Sequence, residues 1–111
     1  MGPSGRSTCV LALDTGSTWT VIAPSILERI GCAPDPSAAP LPIVTASGIG
    51  NAQTSVVSTL VAMGTRLESF RVVAFPIPPQ SGIRGLLGLD FLRRGRLEID
   101  FPAGVLDFSV A

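Results

Sequence analysis

No apolar segment of this chain runs far before glycine or proline interrupts it. Twelve glycines and ten prolines are spread over 111 residues. Both residue types weaken helix interiors and strand centres, and both favour turns. A chain broken this often suits many short strands joined by turns. That is the pattern of an all-β barrel or sandwich carrying one or two short helices. The length allows one domain with a modest core and leaves no room for a second.

The segments can be read in order. Cys9–Leu13 is a continuous apolar run, expected as a strand buried on both faces. Thr18–Ala23, "TWTVIA", is a second β-prone run. Pro24 then opens a short helix that Gly31 closes, the usual asymmetry of helix ends. Residues 33–42 read as an exposed Pro/Ala/Ser loop. Ile43–Ser47 and Gln53–Ala62 flank "GIGN" and predict a hairpin turning there. Leu67–Phe75 is the next strand, after a turn at Met63–Arg66, and Gly85–Leu87 is a very short one. A short helix is expected from Gly88 to about Arg94. Arg96–Phe101 alternates, placing Leu97, Ile99 and Phe101 on one face, and Val105–Val110 returns as the last strand. Met1–Ser7 is expected to be a flexible leader or an expression remnant, with residues 8–111 as the single domain.

Composition excludes several functions. Eight arginines balance eight carboxylates, so no basic excess favours nucleic acid. Arg93, Arg94 and Arg96 read as a solvated helix end. The chain has no histidine, which removes His-based triads and most zinc sites. Cys9 and Cys32 are not spaced as a ligand pair and read as free thiols, with a disulfide between them left open. No metal or cofactor is expected. No apolar run approaches the length of a membrane span and no signal-peptide pattern is visible, which leaves the compartment open.

Any chemistry must therefore come from carboxylates, hydroxyls or backbone groups, and Asp14 stands out. In "LALDTGSTWTVI" it directly follows an apolar run and directly precedes Thr-Gly. A carboxylate entering a core is costly unless hydrogen bonds hold it. Gly16 lets the backbone approach closely, and Thr15 and Ser17 supply hydroxyls able to orient the carboxylate. Asp-Thr-Gly is also an ordinary turn sequence. Peptide hydrolysis by acid–base chemistry needs two carboxylates sharing a proton, yet the chain holds no second Asp-Thr-Gly or Asp-Ser-Gly. A second copy of the chain would have to supply the partner. Asp90 reads instead as a helix-start carboxylate, and Asp100 and Asp107 as solvent-facing. Trp19, the only tryptophan, reads as a wall of the barrel or as a substrate contact.

Three segments in this order, "LALDTGST", "SGIGN" and "GLLGLDFL", resemble the retropepsin-like aspartic proteases, including bacterial relatives of the retroviral enzymes. The resemblance runs from about Cys9 to the C-terminus. It implies a small closed acid-protease barrel and a homodimeric aspartic endopeptidase acting on a polypeptide. Asp14 would pair with Asp14 of a second subunit, Thr15 would cross-link the two loops, and Gly16 would offer backbone to substrate. Ser17 would stabilise the ionised pair and favour an acidic optimum. Gly48, Ile49 and Gly50, with Ser47 beside them, would form a mobile flap tip over the peptide. Leu86 would line a side-chain pocket, and Leu87-Gly88 would pack beneath the loop. The family's outer strand before the one leading into Asp-Thr-Gly is expected to be missing or truncated, since thirteen residues precede Asp14. A second reading is a protease-like domain that binds peptides or self-associates without catalysis, or a truncated inactive fragment.

Overall fold

The computed structural model describes residues 1–45 and 48–110. Strands dominate it. In chain order the elements are β1 (Leu11–Leu13), β2 (Val21–Ile22), α1 (Pro24–Arg29), β3 (Leu41–Thr45), β4 (Gly48–Ala62) and β5 (Thr65–Ala74), then β6 (Gly85–Leu87), α2 (Leu89–Leu92), β7 (Gly95–Asp100) and β8 (Val105–Val110). Six strands form one sheet in the order β1-β6-β2-β5-β4-β3, curled into a half-barrel, and β7-β8 is a separate two-stranded ribbon. The all-β reading therefore holds.

The centre of the sheet has an unusual path. β1 and β2 are consecutive, yet β6 lies between them, parallel to β1 and antiparallel to β2. The connection from Asp14 to Thr20 must step across the end of β6. Two glycines make this possible. A Cβ on Gly85 would collide with the Val21 carbonyl and with Leu11, and a Cβ on Gly88 would stand 2.5 Å from the Trp19 carbonyl oxygen. The "GLLG" pattern is thus a strand squeezed between two others, with no room for side chains at its ends.

The two hairpins of the large sheet turn differently from each other. Ala62 pairs with Thr65, leaving Met63 (φ 50°) and Gly64 (φ 74°) as a two-residue turn with both φ positive. That is the mirror-image turn whose twist matches the strands it joins. At the other hairpin Thr45 pairs with Gly48, Val44 with Ile49 and Ile43 with Gly50. "GIGN" is therefore the start of β4 and not the turn, a correction to the sequence reading. The turn signal of two glycines misled there, because β4 tolerates both: no atom lies within 4 Å of where a Cβ would sit on either. Ser47 lies outside the described residues.

The core forms where α1 and α2 close on the sheet. Leu27 and Phe91 are fully buried, with Ile22, Val57, Phe70, Val72 and Leu92 around them. Each such side chain contributes about 1.5–3 kcal/mol by leaving water. Phe91 joins the two sheets: its ring lies 6.2 Å from Phe70, edge-on, and 5.6 Å from Phe108 of β8. Leu97 packs on this cluster too, on the face the alternation indicated. Ile99 and Leu106 continue that face outward and stay partly exposed, Phe101 is 84% exposed, and Asp100 and Asp107 face solvent.

Residues 1–7, read on sequence as a flexible leader or an expression remnant, hydrogen-bond to the rest of the chain. The Met1 ammonium donates to the Thr59 carbonyl (2.8 Å), Ser58 N–H donates to the Met1 carbonyl (3.0 Å), and Ser4 N–H donates to the Ile30 carbonyl (3.0 Å). Composition alone hid this, because the contacts are backbone ones. Cys9 is half-buried and Cys32 buried, both as free thiols.

Candidate active site

The loop from Asp14 to Thr20 is fastened at several points. Asp14 N–H donates to the Leu87 carbonyl at 3.0 Å, which continues the β1–β6 ladder into the loop. Ser17 N–H donates back to the Asp14 carbonyl at 3.2 Å, closing a turn. The half-buried Asp14 carboxylate accepts the Gly16 N–H at 2.9 Å. A backbone amide at this position holds the charged form in one orientation and leaves the second carboxylate oxygen for other chemistry.

The neighbouring hydroxyls sit differently from the sequence reading. Ser17 Oγ donates to the Trp19 carbonyl at 2.7 Å, so its proton is committed to the loop and not to Asp14. Thr15 is exposed at the outside of the turn. Neither hydroxyl is hydrogen-bonded to the carboxylate among the described residues.

The far end of the loop is locked by α2. Leu89 N–H donates to the Ser17 carbonyl (2.8 Å), and Asp90 N–H donates to the Thr18 carbonyl (3.2 Å). These are donors that a helix start cannot satisfy internally. They also delay the start of β2 to Val21: Thr18 was expected in the strand, but its carbonyl accepts Asp90 N–H of α2. Asp90 then adds a clamp. Its Oδ1 accepts the Thr20 hydroxyl at 2.7 Å and its Oδ2 accepts Thr20 N–H at 3.0 Å, while Gly88 N–H donates to Thr20 Oγ1 at 3.1 Å. Thr20 is fully buried, so each of these bonds replaces lost water. Asp90 also accepts Phe91 N–H at 2.8 Å. Its place in the first turn was legible. The grip on Thr20 was not, because seventy positions separate the two and no local pattern links them.

An apolar groove of about 500 Å³ opens beside the loop. Gly16, Ser17 and Trp19 of the loop line it, with Leu86, Val73, and Ile43 and Val44 of the β3–β4 hairpin. Leu86 thus lines a pocket, and Leu87-Gly88 lies under the loop. Gly48, Ile49 and Gly50 lie in the same hairpin at the start of β4, where Ile49 and its cross-strand partner Val44 are 81% and 84% exposed. Among the described residues, no group of three or more His, Cys, Asp or Glu side chains able to hold a metal occurs, and no helix is long and apolar enough to cross a membrane.

No curated protein sequence matches the chain. A family model described as aspartyl protease matches residues 4–91, which takes in the Asp14 loop, the β3–β4 hairpin and the "GLLG" strand and stops at Phe91, before the β7–β8 ribbon. With most of its length matched, and with this loop laid across a glycine-bounded strand, the chain belongs to the retropepsin-like aspartyl protease family.

Proposed function

We propose that this protein is an aspartic endopeptidase whose site is completed by a second copy of the chain. One observation carries the reading: a single Asp-Thr-Gly carboxylate, oriented by Gly16 N–H, belongs to the loop whose next residues, Gly16 to Trp19, line an apolar groove together with the β3–β4 hairpin. Asp90, the other carboxylate near the loop, is spent on Thr20. A homodimer on a two-fold axis brings Asp14 against its own copy, and a self-complementary interface suits a site of two identical halves. Thr15, exposed in the single chain, would cross-link the two loops through its hydroxyl.

The two Asp14 carboxylates would share one proton, since neighbouring like charges cannot both ionise cheaply. The ionised one takes a proton from a water, and the protonated one polarises the scissile carbonyl. The water oxygen bonds to the carbonyl carbon; the carboxyl that took the water's proton gives it to the leaving nitrogen, and collapse of the tetrahedral species breaks the C–N bond and expels the amine, with no covalent enzyme intermediate. The peptide lies extended, with backbone bonds to Gly16 and the hairpin and side chains in the apolar groove. Gly48, Ile49 and Gly50 serve as the covering segment, and the exposed Val44–Ile49 pair gives it an apolar underside for substrate.

The test is cleavage of an unfolded protein from acidic to neutral pH, with Asp14→Asn beside the wild type. Wild-type activity should peak below neutral pH, where one proton is shared, and the variant should be inactive with an unchanged circular dichroism spectrum. Equal turnover by both proteins would remove Asp14 from the chemistry.

A further inference from the structure

A second groove, of about 460 Å³, lies on the other side of Trp19. Trp19 lines both grooves and separates them. The second is also lined by Leu67, Phe70 and the charged residues Arg66, Glu68, Arg71, Asp90 and Arg94. Its charges divide into those already used and those still available. Glu68 accepts from Arg66 Nε at 2.7 Å and from Thr59 Oγ1 at 2.8 Å. Asp90 is engaged by Thr20 and by Phe91 N–H. Both carboxylates are thus committed, and so is Arg66.

Arg71 and Arg94 are different. The Arg71 guanidinium lies 5.9 Å above the Trp19 ring, and that of Arg94 lies 5.4 Å above Phe70. Arg94 spends only its Nε, on the Asp90 carbonyl at 3.3 Å. Neither arginine has a carboxylate partner among the described residues. Cation–π attraction to a ring does not use up a guanidinium's N–H donors, so they stay available for a ligand. Two arginines held this way, over an aromatic floor, suit a carboxylate carried on a short apolar stem.

We propose that this groove is an outer subsite that takes an acidic side chain, Asp or Glu, of the bound peptide. The inference rests on the reading above that an extended peptide crosses the Asp14 loop. The apolar groove takes residues next to the cleaved bond. The Arg71–Arg94 groove, one tryptophan further out, selects an acidic residue more distant from it.

Trp19 is the only tryptophan in the chain and touches both grooves, so its fluorescence reports binding directly. The experiment titrates the Asp14→Asn protein, which leaves peptides uncut, with decapeptides having an apolar centre and neutral flanks. One flanking Gln at a time is replaced by Glu. At one position Glu should bind about tenfold tighter than Gln, equivalent to ~1.4 kcal/mol. The gain should vanish when Arg71→Ala and Arg94→Ala are added, and in the parent protein it should shrink as salt is raised. The salt series needs no substitution at the arginines, so it stands even if the variant is poorly folded. The proposal is overturned if no Glu position binds tighter than its Gln counterpart, or if the gain survives both arginine substitutions. Cleavage of the same peptides by the wild type reads the endopeptidase assignment separately. A Glu gain without any cleavage refutes the protease and supports the subsite, whereas cleavage without a Glu gain refutes the subsite alone.

Discussion

Replacing Asp90 with alanine removes three acceptor contacts at once: to Thr20 N–H at 3.0 Å, to the Thr20 hydroxyl at 2.7 Å and to Phe91 N–H at 2.8 Å. Phe91 N–H keeps its bond to the Gly88 carbonyl at 3.2 Å, so it is not orphaned. The two Thr20 donors are, and Thr20 is fully buried. A buried donor left without a partner costs about 1–3 kcal/mol. Two donors sharing one residue relax together, so the expected loss is about 3 kcal/mol out of the roughly 5–15 kcal/mol typical of a domain. Asp90→Asn keeps one acceptor oxygen but sets an amide against Thr20 N–H, and should lose about half as much. Thr20→Val leaves Gly88 N–H without its acceptor and should cost about 1–3 kcal/mol. Urea unfolding is the assay, read as a shift in midpoint at constant slope. Because Thr20 and Asp90 share the bonds in question, the double variant should be less destabilised than the sum, by about 1–2 kcal/mol. A loss below about 0.5 kcal/mol for Asp90→Ala, or strict additivity in the double variant, would refute the clamp.

Gly88→Ala places a Cβ 2.5 Å from the Trp19 carbonyl oxygen and 2.9 Å from that of Ser17, both rigid backbone, so it should prevent folding or cost more than about 3 kcal/mol. Gly104→Ala, with φ +66° but open space around it, should cost only about 1 kcal/mol, and thermal melts of the pair separate packing from backbone strain. Burial pushes the Cys9 thiol above its ordinary pKa, so its folded state holds the proton longer than the unfolded one. Its alkylation at pH 8 should be slower than that of the urea-unfolded chain, and stability should fall as pH rises above the unfolded thiol's pKa; equal alkylation rates would contradict that burial. If the site spans two subunits, activity should fall faster than linearly on dilution near the dimer dissociation constant. Strict proportionality to concentration across that range would point to a one-chain site.

Much of the architecture was legible because its determinants are local. Alternation in Arg96–Phe101 put Leu97 on the core, though Ile99 and Phe101 stay exposed, while Pro24 and Gly31 bracketed α1 and the apolar run before Asp14 marked β1. The failures are equally specific. "GIGN" reads as a turn by composition, but pairing of Thr45 with Gly48 carries it into β4. Thr18 has β propensity, but its carbonyl is taken by Asp90 N–H. Nor does any local pattern show that the Ser17 hydroxyl donates to the Trp19 carbonyl in the single chain.

By itself the sequence determined the fold class and the candidate carboxylate. Strand period, turn chemistry and the lone Asp-Thr-Gly are all written in adjacent residues, and adjacent residues constrain one another through backbone sterics and hydrogen bonding alone. Only the tertiary structure decided what surrounds Asp14. It put β6 between β1 and β2, set Asp90 on Thr20, and laid Arg71 over Trp19. Those contacts join positions about fifty to seventy residues apart. They arise from the order in which strands pair, and that order is settled by burying the whole core at once rather than by any short stretch of the chain.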